Sequence, residues 1–151
     1  MTNPLDSRFP TGDVSPGFLL WQVTNRWQAA IRRALSPHEL THVQFVLLAV
    51  LTWGDTADGM TQAELSHRAG ADPMMVSQVV RALAERGLVE RHPDAADRRA
   101  IRVRATVEGR ERARAANHAV EEVDEAAFGE RAGDPRPLAG HLADVLRRLQ
   151  S

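Results

Sequence analysis

The chain has 151 residues, 43% of them hydrophobic and 26% charged, which predicts one globular domain with its own core and excludes disordered, collagen-like and membrane-bundle classes. It has no cysteine, which removes disulfide frameworks, thiolate zinc sites, iron–sulfur clusters and thiol redox switches. The formal net charge of -1 hides an uneven distribution: ten arginines face six acidic residues between Arg81 and Arg114, whereas the segment from Glu121 to Asp134 has six acids and only Arg131. Lysine is absent, so every fixed cation is an arginine, the side chain suited to bidentate contacts with phosphate and guanine.

Met1 to Gly17 carries Pro4, Pro10 and Pro16 among polar residues and lacks the apolar stretch of a signal peptide. The longest apolar run, Val43 to Leu51, is interrupted by Gln44 and too short for a bilayer, so the expectation is a cytoplasmic protein without a membrane partner. Between Ser15 and Leu35 the residues Leu20, Val23, Trp27, Ile31 and Leu35 recur at three- and four-residue steps, the pattern of an amphipathic helix capped by Ser15-Pro16. Ser36-Pro37 is a second start signal, and His38 to Trp53 is apolar nearly all round, which predicts a central core helix. Gly54 to Gly59 reads as a loop.

Thr61-Gln62-Ala63-Glu64 is a capping box, so a short helix is expected from there to about Gly70. Asp72-Pro73 starts another, with Val76, Val80 and Leu83 as its buried stripe, and the tight Ala69-Gly70-Ala71 connection makes the pair a helix-turn-helix. Leu88 to His92 and Ala100 to Thr106 read as two short strands around a polar turn, with Ile101, Val103 and Ala105 on one face and Arg102 and Arg104 on the other. A long alanine-rich helix is expected from Val107 to about Gly129, and after a break from Gly133 to Pro137 a last helix carries Leu138, Leu142, Val145, Leu146 and Leu149.

Several stretches in this order are similar to the MarR (multiple antibiotic resistance regulator) family. They are Leu40 to Phe45, Gln62 to Leu65, Val76 to Leu83, Glu85 to Arg91, and Asp97 to Ala100 leading to Thr106-Val107-Glu108-Gly109. Two features depart from the family pattern: Ala105 stands where a leucine is usual, and its common lysines are arginines here. The resemblance implies a mainly α fold with a small β-hairpin wing, a winged helix-turn-helix lobe over 37–106, and dimerisation helices at 15–36 and 107–150 within one domain, 1–151. It also implies a DNA-binding transcriptional regulator rather than an enzyme, a ligand-responsive repressor that binds a pseudo-palindromic operator as a homodimer.

A reading helix must offer polar or small side chains on the face opposite its core stripe, and Pro73, Met74, Ser77, Gln78 and Arg81 occupy that face. Thr61 and Gln62, at the start of the preceding helix, join them as candidate DNA contacts. By the resemblance, Asp97 orients an arginine, Arg99 enters the minor groove, and Arg98 lies nearby as a candidate phosphate contact. Trp27, Ile31, Leu142, Leu146 and Leu149 are the expected dimer contacts, and Trp21, His42 and Trp53 the expected lining of an effector pocket. No cofactor is expected. Two alternatives remain at this level: a zinc-responsive regulator using His38, His42, His118 and Glu122, and a winged-helix module that binds protein.

Overall fold

The structure is a computed structural model that describes residues 4–54, 57–129 and 138–150. It is mostly helical, with a small three-stranded antiparallel sheet. Helix α1, Pro16–Leu35, has proline in its first turn, though the Ser15 side chain makes no cap hydrogen bond. Its apolar stripe is buried only in the second half, at Ile31 and Leu35, while Leu20 and Val23 face solvent.

The next helix starts later than the Ser36-Pro37 signal implies. Ser36–His38 forms one 3-10 turn, and Glu39 then takes a left-handed conformation at φ 55, which no α-helix can continue through. Helix α2, His42–Trp53, begins only after Thr41, whose hydroxyl accepts from Gln44 N while Gln44 Oε1 accepts from Thr41 N. His38 and His42 therefore do not share a helical face. As expected, α2 is central: Phe45, Leu47, Leu48 and Leu51 are buried, and it packs on α1 and on the elements that follow it. Full burial of Leu47 and of Leu48 stabilises the fold by about 1.5 to 3 kcal/mol each.

Strand β1 is only Met60–Thr61 and was not expected. It leads into α3, Gln62–Ala69, whose Thr61–Glu64 capping box forms as the sequence predicts and whose end is turned by Gly70 at φ 62. Helix α4, Pro73–Glu85, is capped by Asp72, which accepts from Met75 N at 3.0 Å, and it buries Val76, Val80 and Leu83. Strands β2, Val89–Pro93, and β3, Ile101–Ala105, pair antiparallel from Val89↔Ala105 to Pro93↔Ile101, and β3 lies between β2 and β1. Helix α5, Val107–Phe128, and helix α6, Leu138–Gln150, complete the chain. The break expected at Gly133 to Pro137 lies outside the described residues.

One junction couples the reading helix to the wing. Helix α4 ends with Gly87 N on Ala84 O and Leu88 N on Leu83 O, a Schellman closure over two buried leucines. The Leu88 carbonyl then accepts from Thr106 N at 3.1 Å, and the Thr106 hydroxyl donates to Gly87 O at 2.8 Å while accepting from Gly109 N at 3.0 Å. Gly109 has to be glycine, because a Cβ there would lie 2.0 Å from Leu88 O. Gly109→Ala is accordingly expected to lower unfolding stability by about 3 kcal/mol, the upper end of ordinary overpacking, in a urea titration. A loss below about 0.5 kcal/mol would show that α5 is not seated against Leu88.

Candidate nucleic-acid interface

Helix α4 presents two faces with opposite chemistry. Val76, Val80 and Leu83 are fully buried, and on the other side Pro73, Met74, Gln78 and Arg81 are exposed with Ser77 half-buried. At 13 residues the helix is about 20 Å long, a length that fits across a major groove. Gln78 and Arg81, three residues apart, lie one above the other on that outer face with their polar ends unburied.

The wing is a turn organised by two aspartates. Asp94 Oδ1 accepts from Ala96 N at 2.7 Å and from Asp97 N at 3.1 Å, and the turn is closed by Asp94 N on Ala100 O and Ala100 N on Asp97 O. Asp97 Oδ1 accepts from Arg99 N at 3.0 Å and faces Arg99 Nε at 3.6 Å. Even so, the Arg99 side chain is 95% exposed. It is a cation tethered at its base and open to solvent along its length. Arg98 is exposed beside it.

The two candidate contacts at the start of α3, its N-cap Thr61 and its first residue Gln62, are half-buried. Thr61 Oγ1 accepts from Glu64 N at 3.1 Å, which leaves its O–H able to donate to a phosphate. Gln62 Oε1 is buried and unpaired, an acceptor that cannot itself bind a phosphate oxygen. Sequence reasoning missed how the base of the wing is fixed. Strand alternation puts Arg102 and Arg104 on one face and gives no partner for either, yet Arg102 Nη1 donates to Asp94 Oδ2 at 2.8 Å, while Arg104 pairs with Glu90 and donates to Ala57 O at 3.0 Å. Alternation along a strand gives the face, and only the folded loop gives the acceptor.

Of the five expected dimer contacts, Ile31 lies in the chain's own core and Trp27 packs half-buried against it. Ile31 is fully buried. Trp27 Nε1 donates to Asp124 Oδ1 at 2.7 Å, and its ring lies edge-on to His42 at 5.2 Å and tilted to Phe128 at 6.2 Å. Leu142, Leu146 and Leu149 remain exposed on α6, as do Phe18, Leu20 and Trp21 on α1.

The three residues expected around an effector do not come together. Trp53, 82% exposed, borders a small hollow with Phe45 and Ala113 between α2 and α5, and Trp21 is 66% exposed on α1. His42 lines a separate cleft of about 630 Å³ with Gln28, Arg32, Val46, Asp72 and Met75, so the cleft runs from α1 to the first turn of α4. Burial, and secondarily the charge of Arg32, hold the His42 pKa below the ordinary imidazole value against the opposing pull of Asp124. The zinc arrangement fails: His38 lies in the 3-10 turn, His118 is exposed on α5, and among the described residues no group of three His, Asp or Glu side chains could hold a metal ion. No helix among these residues is long and apolar enough to cross a membrane.

Residues 40–101 match the family model of the MarR family. The chain is 41% identical over 126 residues to the HTH-type transcriptional regulator YdcH of Bacillus subtilis, a match covering 81% of this chain and 84% of that protein. It is 31% identical over 138 residues to the HTH-type transcriptional repressor Rv2887 of Mycobacterium tuberculosis, covering 91% and 90%. Among solved structures it is similar to CouR from Rhodococcus jostii bound to p-coumaroyl-CoA, with a TM-score of 0.77, 27% identity and coverage of 93% and 95%. With its winged helix-turn-helix, outward-facing polar helix and tethered wing arginine, the chain belongs to the MarR family of DNA-binding transcriptional regulators.

Proposed function

We propose that this regulator is a ligand-responsive repressor that grips a pseudo-palindromic operator as a homodimer in the cytoplasm. Residues 37–106 serve as the DNA-binding lobe, and 15–36 with 107–150 carry the dimer contacts. The observation that carries the DNA reading is Arg99, tethered through Asp97 yet 95% exposed, beside a helix whose outer face is polar. A guanidinium oriented in advance loses little freedom on entering a narrow minor groove, where the phosphate potential is most negative. Gln78 and Arg81 have the donors and acceptors to read adenine and guanine in the major groove, and Ser77 is small enough to let α4 approach. Pro73, Met74, Thr61, Gln62 and Arg98 flank these as further contacts. The mycobacterial relative is a transcriptional repressor, and this chain takes the same role.

Homodimerisation is supported by unpartnered apolar surface. Phe18, Leu20, Trp21, Leu142, Leu146 and Leu149 are between 48% and 78% exposed in one chain, and a two-fold assembly would bury them while setting two reading helices about 34 Å apart. The effector would sit in the cleft lined by His42. Its volume suits a small amphipathic or phenolic molecule, and Arg32 supplies a cation for an acidic group. Because Asp72 and Met75 form its far wall, a molecule seated there would press on the first turn of α4 and change the separation of the two heads. CouR, to which this chain is similar, is bound to p-coumaroyl-CoA, a ligand that carries a phenolic acyl group.

Fluorescence anisotropy on duplexes selected from the host genome tests the contacts. Arg99→Ala is expected to weaken binding to many sequences alike, whereas Gln78→Ala costs roughly 1 to 3 kcal/mol on the selected site and little elsewhere. If both variants bind as the wild type does, the assigned faces are wrong. Leu142→Glu combined with Leu146→Glu is expected to turn a sedimenting dimer into a folded monomer with strongly reduced operator affinity. A double variant that stays dimeric would remove α6 from the interface.

A further inference from the structure

Arg102 is the second residue of β3, opposite Thr61 on β1 and His92 on β2. Its guanidinium makes three hydrogen bonds in three directions: Nη1 to Asp94 Oδ2 at 2.8 Å, Nε to Asp58 O at 3.1 Å, and Nη2 to Gly59 O at 3.2 Å. The side chains of Arg102 and Asp94 are only 26% and 12% exposed, whereas those of Arg99 and Asp97 at the tip are 95% and 57% exposed. The base of the wing is thus a closed ion pair, and its tip is open.

The bonds run in series from the backbone of Asp58 and Gly59 to the exposed cation. The Asp58 and Gly59 carbonyls hold Arg102, Arg102 holds one oxygen of Asp94, and the other oxygen of Asp94 holds the Ala96 and Asp97 amides. Asp97 in turn holds the amide of Arg99. The fixed end is anchored by shape: Gly59 has φ 69, and a Cβ on it would lie 2.1 Å from Val103 O, so only glycine lets the loop approach β3 closely enough for its carbonyl to meet Arg102. Arg102 and the amides of Ala96 and Asp97 hold the Asp94 carboxyl below the usual carboxylate range, so the pair stays ionised at neutral pH.

We infer that Arg102 is a positioning residue for DNA binding: it fixes the wing turn through Asp94 and thereby sets the direction from which Arg99 meets the duplex. This rests on the reading of Arg99 as the arginine that enters the minor groove. A direct phosphate contact is disfavoured by geometry, since each of its three nitrogens already donates a hydrogen bond within the wing and its charge is balanced by Asp94. Arg104 offers the contrast. It leaves the same strand but pairs with Glu90 on β2, a residue outside the turn.

The test is a mutant cycle on affinity for a roughly 30-base-pair A·T-rich duplex at low ionic strength, comparing wild type, Arg99→Ala, Arg102→Ala and the double variant, with Arg104→Ala as the control for lost charge. Arg99→Ala and Arg102→Ala are each expected to weaken binding by about tenfold, while Arg102→Ala added to Arg99→Ala changes it by less than about twofold. Arg104→Ala should cost clearly less than Arg102→Ala. Should Arg102→Ala fail to fold, Asp94→Asn breaks the same ion pair and is expected to give the same coupled loss.

If Arg102→Ala costs as much in the Arg99→Ala background as in the wild type, Arg102 touches DNA itself and the inference fails. It fails equally if Arg102→Ala lowers only the melting temperature while Arg99→Ala weakens binding. A normal affinity for Arg99→Ala alone would instead sink the minor-groove reading, and the inference with it.

Discussion

The contact on which the remaining structure depends is the meeting of Gly87-Leu88, Thr106 and Gly109. There the end of α4, the start of β2, the end of β3 and the first turn of α5 share hydrogen bonds centred on the Leu88 carbonyl and the Thr106 hydroxyl. DNA recognition by a helix and a hairpin requires that the two keep a fixed spacing, since a shift of an ångström misaligns bidentate contacts in one groove or the other. Side-chain packing alone would leave the hairpin free to pivot. A Schellman closure followed by a threonine that both donates and accepts removes that freedom, and the small volume of Gly109 lets α5 sit on the joint.

Charge is distributed to serve the same end. Some arginines of the basic segment are tied up within the wing and others are left open. Arg102 and Arg104 are tied to Asp94, Glu90 and loop carbonyls, whereas Arg81, Arg98 and Arg99 reach solvent. A near-zero net charge is therefore compatible with a DNA-binding protein, because Arg81, Arg98 and Arg99 stand exposed on the reading helix and the wing tip while Asp94 and Glu90 are paired within the wing. The apolar side chains are divided in the same way. Ile31 and Trp27 complete the core of one chain, while the first half of α1 and the face of α6 keep apolar surface that a second copy would cover.

The helices, the helix-turn-helix and the hairpin were legible because each has both a periodic apolar stripe and a local start or stop signal: the Thr61–Glu64 box, Asp72-Pro73, and Gly70. The start of α2 was misread where two signals compete. Ser36-Pro37 opens a turn, but Glu39 breaks it at positive φ and the Thr41–Gln44 pair, which looks unremarkable beside an apolar run, restarts the helix. β1 was invisible because two residues cannot show alternation; its existence depends on β3 having a free edge. Among site residues, those on α4 followed from periodicity, and Asp97 and Arg99 from resemblance. The partners of Arg102, and the separation of His42 from Trp53, depend on which distant segments the fold brings near, and spacing along the chain carries no record of that.

The central claim is that this chain holds DNA through the exposed Arg81, Arg98 and Arg99 of two paired, rigid heads, whose charges displace the counterions of the phosphates. Its most direct test is the dependence of wild-type affinity for an operator-length duplex on salt concentration. Each phosphate neutralised releases counterions, so a dimer with a helix and a wing on each half-site is expected to give a log–log slope on the order of -5 or steeper. A shallow slope near zero, or no association at low ionic strength, would contradict the account.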